Sequence, residues 1–430
     1  MTSSPAASSC SPDVLLRELY AAMLAAADPR VVLPAHLPEP PAAPGARTVV
    51  VGLGKAAAAM AQAVEARWAE RGAACSGVVV APPGAELPLQ HIEVAVGSHP
   101  VPDARSVAAA QRLMAAVQGL TPDDLVIALI SGGGSALCAW PAAPVTLDDK
   151  RALTQALLRS GAPIHEINTV RKHLSAIKGG RLAQAAAPAR VVSLLISDIP
   201  GDDPALIASA PTLPDASTCA DALAVLQGHG IAVPPAVAEA LQRGALESPK
   251  PGATWPELRV IASAQTGLEA AAQRARELGW VPHILSDAMQ GEARDLALAH
   301  AAIAQQVRRR SQPFAAPCVL LSGGEATVTL RGAGRGGRNT EFALALALAL
   351  QGERGIWALS AGSDGLDGTG DAAGAFITPS TLARAQAEGL DARQALADND
   401  SFSFFHALGD TVVTGPTHTN INDFRAVCVR

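Results

Sequence analysis

Aromatic side chains make up only 3% of this chain of 430 residues. That is too few to build the stacked-ring surfaces on which base or sugar recognition rests. Positive charge is also in short supply: the net charge is −6, which excludes a nucleic-acid binder held by bulk electrostatics but leaves room for a local basic site. The six cysteines, Cys10, Cys75, Cys138, Cys219, Cys318 and Cys428, are scattered, with no CxxC pair and no His/Cys group at zinc-ligand spacing. Neither a disulfide framework nor a zinc site is therefore expected, and the usage fits a reducing cytoplasm. MTSSPAASSCSPD has no basic segment leading into an apolar one, so no secretory signal is expected. No apolar run is long enough to span a bilayer. Recognition must then be carried by polar side chains and backbone groups, with neither membrane nor nucleic acid as partner.

What is present is 49% hydrophobic residues on a chain longer than one core comfortably serves, so two domains are expected. Ser11-Pro12-Asp13 reads as the cap and first turn of a helix reaching about Ala27. Short β-branched runs then alternate with helical composition: TVVVG, GVVVA, IEVAVG, LVIALI and VVSLLIS as strands, with helices over 55–70 and 103–118. Thr146 and Asp149 form a capping box ahead of a further helix, and RKHLSAIKGGRL reads as helical. Breakers crowd residues 229 to 256, which places the boundary near 253 and the domains at 1–252 and 253–430. Alternation resumes with LRVIAS, a helix from about 265, PHILS and CVLLS, and TVTL at 327–330 is expected as an antiparallel strand. The fold class is α/β, with largely parallel sheets.

In such sheets ligands bind beyond the carboxyl ends of the strands, and five of those ends are unusual. SGGGS (Ser131, Gly132, Gly133, Gly134, Ser135) and SGGE (Ser322, Gly323, Gly324, Glu325) read as glycine loops whose backbone N–H groups approach an anion. Either alone is equally a tight turn; two with adjacent hydroxyls point to phosphate binding. Two more strands end in Ser-Asp, giving Asp198 and Asp364, which suit Mg²⁺ or proton acceptance; Asp203, Asp367 and Asp371 read as turn formers. The fifth end, VVVGLGK, lacks the third glycine of a dinucleotide fingerprint, because that position is Ala57, and lacks the spacing of a Walker A loop. What it offers is Lys55, a cation at a strand end. Arg171, Lys178 and Arg181 fall near one face of the expected RKHLSAIKGGRL helix, where they serve an anion or simply meet solvent. Arg335 and Arg338 occupy a glycine-rich turn before FALALALAL, and a guanidinium there can grip a carboxylate or phosphate. The residues together suit phosphoryl transfer.

In order along the chain, VVGLGKAAAAM, HPVPDARS, SGGGSAL, INTVRKHLSAIKGGRLA, SDIPGDDP, SGGEATVTLRGAGRGGRNTEFAL, SAGSDGLDG, DAAGAF, NDSFSFFHALGD and TGPTHTNINDF resemble the class II, or MOFRL-type, glycerate kinases. The resemblance implies ATP-dependent phosphorylation of D-glycerate, usually at the 2-hydroxyl, with Mg²⁺, by a Rossmann-like N-terminal domain and a smaller C-terminal α/β domain with the site in the cleft between them. It implies cleft roles for Lys55 and Arg338, and places Asp198 and Asp364 in the two Ser-Asp motifs. A homodimer is the assembly left open. One departure stands out: the family's TGPTGTN is TGPTHTN here, with His418 for glycine, a costly exchange if the position needs positive φ. The rivals are an NAD(P)H-dependent hydroxypyruvate reductase, disfavoured by the missing fingerprint, and a phosphometabolite-binding protein without turnover.

Overall fold

The computed structural model describes residues 10–252 and 256–430, so the boundary expected near 253 falls on residues 253–255, outside the described residues. The chain forms two compact units that are each discontinuous in sequence. One comprises Pro29–Ser197 and Asp202–Ile261 and is built on the first sheet; the other comprises the described residues through Asp28, Asp198–Gly201 and Ala262–Arg430 and is built on the second. Among the described residues no helix is long and apolar enough to cross a membrane.

The first sheet contains β1 (Thr48–Leu53), β2 (Ser76–Ala81), β3 (Ile92–Val96), β4 (Leu125–Ile130), β5 (Arg190–Ile196) and β6 (Glu257–Ala262). Their order is β3-β2-β1-β4-β5-β6, with β1 parallel to both β2 and β4. Every residue of β1 and β4 is buried, as their unbroken β-branched and aliphatic runs require when both faces are covered. The order reverses between β1 and β4, and Leu53 pairs with Ile130, so the segments leaving these two strands emerge side by side. That reversal is where open α/β sheets bind ligands.

The second sheet contains β7 (Val281–Glu292), β8 (Cys318–Thr327), β9 (Ile356–Gly362), β10 (Gly374–Ile377), β11 (Thr411–Val412) and β12 (Asp423–Val429), in the order β11-β10-β9-β12-β8-β7. Here the expectation of largely parallel pairing fails: β12 is antiparallel to β8 and β9, and β10 to β9 and β11, leaving β7 with β8 as the parallel pair. The C-terminal strand is the cause, because it inserts at the centre of the sheet against two strands running the other way. TVTL does not form its own strand either, since β8 ends at Thr327. The helix Arg338–Leu350, buried along most of its length, packs with the helix Ala293–Arg310 over this sheet, which explains the apolar FALALALAL. The first helix is Pro12–Ala27, capped by Ser11 as its sequence predicts.

Candidate active site

At the reversal point of the first sheet, the VVGLGK and SGGGS segments are stitched together. Ser131 N–H donates to the Leu53 carbonyl at 3.1 Å, Lys55 N–H to the Gly132 carbonyl at 2.9 Å, and Ala56 N–H to Ser131 Oγ at 3.0 Å. Gly54 has φ +133°, and a Cβ on it would lie under 3.0 Å from Ser131 Oγ and the Ser131 carbonyl; only glycine fits there. The glycine thus serves the contact between the two strand ends, and Ser131 covers the backbone that a dinucleotide would have to approach. A Cβ on Gly133 would touch the His99 ring at 3.2 Å and the Lys55 side chain at 3.4 Å, so Lys55 and His99 both stand beside the third residue of SGGGS. His99 was not singled out from the sequence, although HPVPDARS contains it. SGGGS continues into a single helical turn, Gly134–Leu137.

SGGE is not a loop. Ser322, Gly323, Gly324 and Glu325 lie within β8; the first three pair with β12, and Ser322, Gly324 and Glu325 pair with β7. Gly324 has φ +117°, and a Cβ there would strike the backbone of Met289 in β7. Its glycine is required by strand packing. Ser322 is buried and hydrogen-bonded to His300 Nε2 at 2.8 Å; because His300 Nδ1 lies 2.7 Å from the Leu296 carbonyl and must donate there, Ser322 is the donor to Nε2. Glu325 is the exposed member.

Arg338 begins the helix Arg338–Leu350. Its Nε donates to Asp423 at 2.7 Å and its Nη1 to Glu325 at 2.7 Å. Burial alone would lower its pKa, but the Asp423 and Glu325 carboxylates outweigh that and raise it. Asp423 also accepts from Asn339 Nδ2 at 2.9 Å, from Arg425 Nη2 at 2.6 Å and from Ala326 N–H at 3.1 Å. Asp367, read from sequence as a turn former, is instead a buried cap: it accepts from Asn339 N–H at 2.9 Å, Thr340 N–H at 2.8 Å and Thr340 Oγ1 at 2.7 Å. Burial pushes its pKa up. Asp203 accepts from Ala205 N–H, as a turn residue should, and Asp371 is exposed and pairs with Arg335. Asp423 and Arg425 were not singled out from the sequence, although TGPTHTNINDF contains Asp423.

The segment 414–423 reaches both Ser-Asp motifs. Asn420 Nδ2 donates to Asp198 Oδ2 at 3.0 Å and Asn422 Nδ2 to the Asp198 carbonyl. Thr417 N–H donates to the Asp364 carbonyl at 3.2 Å, Ile421 N–H to Ser363 Oγ at 2.8 Å, and Ser363 N–H to the Asn422 carbonyl at 2.9 Å. Because the segment ends at Asp423, which holds Arg338, one stretch of chain organises Asp198, Asp364 and Arg338. His418 within it has φ +58°, the left-handed conformation that glycine adopts without cost.

RKHLSAIKGGRL is not one helix. The helix Ile164–His173 ends before Gly179 and Gly180, and another, Arg181–Ala186, follows. Arg181 donates to the carbonyls of Lys172, Lys178, Leu246 and Glu247 and is a structural clamp. Tertiary contact also unites His173, Cys219 and Glu247, whose distant positions hide any ligand spacing. Both ring nitrogens of His173 are taken, by the Thr169 carbonyl at 2.8 Å and Glu247 at 3.2 Å, and Glu247 also pairs with Lys250.

Residues 15–242 match a profile described as a domain of unknown function, DUF4147, and residues 318–423 match the MOFRL family. A relative from Agrobacterium vitis, provisionally named a hydroxypyruvate reductase, is 52% identical over 96% of this chain and 94% of its own. The D-glycerate 2-kinase of Thermotoga maritima is 40% identical over 88% of this chain and 89% of its own. The crystal structure of a glycerate kinase from Thermotoga maritima superposes with a TM-score of 0.87 at 38% identity, covering 97% of this chain and 99% of that one. With the motifs in order, both profiles matched and full-length relatives of the same architecture, the chain belongs to the class II glycerate kinase family.

Proposed function

We propose that the protein transfers the γ-phosphoryl group of ATP to D-glycerate, at the 2-hydroxyl. The observation that carries this reading is the pair of strand ends at the reversal point of the first sheet, where Lys55, His99 and the SGGGS backbone gather beside one another. That arrangement suits oxyanions, and Ser131 packs against Gly54, the second glycine of GLGK, where a dinucleotide pyrophosphate would need close approach. Relatives named as glycerate 2-kinases support the same chemistry.

In the proposed reaction the 2-hydroxyl oxygen attacks the γ-phosphorus, the bond to the ADP oxygen breaks, and a carboxylate takes the hydroxyl proton. Lys55 and SGGGS neutralise phosphate or carboxylate oxygens, and Arg338 stabilises the charge that spreads over the transferring group. Glu325 is the carboxylate a ligand oxyanion would replace on Arg338, because it is half exposed while Asp423 is buried. Asp198 and Asp364 would hold Mg²⁺, because carboxylate oxygens suit this hard cation. When bound, the ion would neutralise phosphate charge. Free cysteines throughout the described chain fit a cytoplasmic reaction.

The alternative name among the relatives, hydroxypyruvate reductase, makes a clean contrast. Purified protein is mixed with Mg-ATP and D-glycerate while ADP is followed, and with NADH and hydroxypyruvate in parallel. ADP release without NADH oxidation is expected, and phosphorus NMR of the product should identify 2-phosphoglycerate. NADH oxidation without ADP would overturn the proposal. Lys55→Ala and Arg338→Ala should each lower kcat by roughly 10²–10³ with the circular dichroism spectrum intact; near-normal turnover in both removes the assignment.

A further inference from the structure

Within the first-sheet unit, most basic side chains of the 171–181 segment and its surroundings have acceptors that account for them. Arg181 has four carbonyls, Lys172 has Asp215 at 3.4 Å, and Lys250 has Glu247. Two do not fit this pattern. Lys178 is wholly buried, and its Nζ reaches only the Ala208 carbonyl, at 3.4 Å. Arg171, in the last turn of the helix Ile164–His173, makes no side-chain hydrogen bond or ion pair among the described residues, and burial alone pushes its pKa down. Lys150, also buried, adds a third positive group, spanning the carbonyls of Arg171 and Leu174 at 3.4 and 3.3 Å. Its pKa is driven down first by burial and then by Lys178, Arg171 and Arg181. A buried cation without a carboxylate costs free energy, so a fold that keeps several together needs a reason.

The surroundings supply one. Asn168 and Arg171 are three residues apart on the same helix and therefore share a face. Asn168 Oδ1 accepts from Ser209 Oγ at 2.6 Å, and Ser209 Oγ lies 2.8 Å from Ser135 Oγ. Ser209 spends its proton on Asn168, so Ser135 donates to Ser209. Ser135 is the last residue of SGGGS, and the face bearing Arg171 is thereby turned towards that loop. The segment making these contacts is strained: Ala208, Ser209 and Ala210 have φ of 51°, 59° and 51°, a left-handed run that side chains with a Cβ disfavour. Gly179 N–H and Gly180 N–H hold it, donating to the Ser209 and Ala210 carbonyls at 3.2 and 2.9 Å. The strained run seats the Ala208 carbonyl on Lys178 and the Ser209 hydroxyl on Ser135. Strain of this kind concentrates where a ligand must be met.

We propose that Arg171 and Lys178 form an oxyanion subsite beside the SGGGS loop, receiving a carboxylate or phosphate group of the bound substrates. The identity of the ligand rests on the kinase reading above; the subsite itself rests on cations that the protein leaves uncompensated. A guanidinium fork can take two oxygens of either group, and the buried ammonium adds charge that solvent does not screen.

The test uses Arg171→Ala, Arg171→Lys and Lys178→Met in the full chain, with KM for D-glycerate and for ATP, kcat and the thermal midpoint measured for each. Losing one charge-assisted contact should raise one KM by about ten-fold or more, and Arg171→Lys should recover part of the loss. The thermal midpoint should stay level or rise, because no internal ion pair is broken. A rise confined to D-glycerate identifies the carboxylate, and one confined to ATP identifies phosphate. Unchanged KM values for both substrates, or a fall of several degrees with Arg171→Ala, would sink the proposal. Calorimetric titration of D-glycerate and of inorganic pyrophosphate into the wild type and Arg171→Ala separates this from the kinase reading. Binding weakened in the variant, in a protein that releases no ADP, keeps the subsite and rejects the kinase; equal binding rejects the subsite whatever the turnover.

Discussion

Replacing Asp423 by Asn changes the shape of a buried cluster hardly at all and its charge by one, which makes it a direct probe of what holds Arg338. The Asp423 side chain has no exposed surface and accepts from Arg338, Arg425 and Asn339 at 2.6–2.9 Å. Arg425 is equally buried, and its remaining acceptor is the Gly323 carbonyl at 3.4 Å, with its charge lying over the Phe342 ring. Asp423→Asn therefore strands a buried guanidinium, for which a loss of about 3–5 kcal/mol is expected. The thermal midpoint should fall by on the order of 10 °C. Glu325→Gln removes the other carboxylate on Arg338, but that side chain is 49% exposed, and less than about 1 kcal/mol should be lost. Urea unfolding of both variants, with the slope checked for constancy, measures the contrast. Adding Arg425→Met to Asp423→Asn should restore much of the stability, since it removes the stranded charge. A cost for Asp423→Asn no larger than that for Glu325→Gln would refute the claim that this carboxylate anchors the cluster.

Gly54→Ala should destabilise the fold by more than about 2 kcal/mol and abolish turnover, because both its positive φ and the closeness of Ser131 forbid a Cβ; Gly45→Ala, where φ is +81° but nothing lies within 4 Å, should cost about 1 kcal/mol in the same urea titration. Burial pushes the pKa of His300 down from 6.5 to about 4, with the Leu296 carbonyl opposing and Arg425 reinforcing that shift. Its folded pKa is the depressed one, so stability is full above pH 6.5 and falls as pH drops towards 4, by about 3 kcal/mol; unfolding midpoints over this range should flatten in His300→Gln. His418→Gly should raise stability by up to about 1 kcal/mol by relieving a left-handed side chain, seen as a higher urea midpoint with ADP release unimpaired.

Much of the first-sheet unit was legible because its signals are local. Short β-branched runs bounded by turn residues favour strands, and β1, β2, β3, β4 and β5 fall where TVVVG, GVVVA, IEVAVG, LVIALI and VVSLLIS do. Thr146 and Asp149 form the capping box that their spacing predicts. The helix expected over RKHLSAIKGGRL was misread for the opposite reason: its charged residues have helical periodicity, but Gly179 and Gly180 take positive φ to meet the strained run at 208–210. No propensity marks Ala-Ser-Ala as left-handed, because what holds it there is hydrogen bonding from a distant segment.

SGGGS and SGGE look alike as sequence and differ entirely in structure, and the difference lies in what each is paired with. SGGGS leaves its strand at the edge-to-edge reversal and becomes a loop, whereas SGGE stays in β8 because β12, nearly a hundred residues later, pairs with it. The sequence by itself determined the α/β class, the family and the chemical types brought to the strand ends, since these reside in local pattern and in ordered motifs. The tertiary structure alone decided which glycines pack and which open, that Asp423 anchors Arg338, and that Lys178 stands buried and Arg171 half-buried without a carboxylate. These are consequences of side chains meeting across long separations, where no local spacing carries the information.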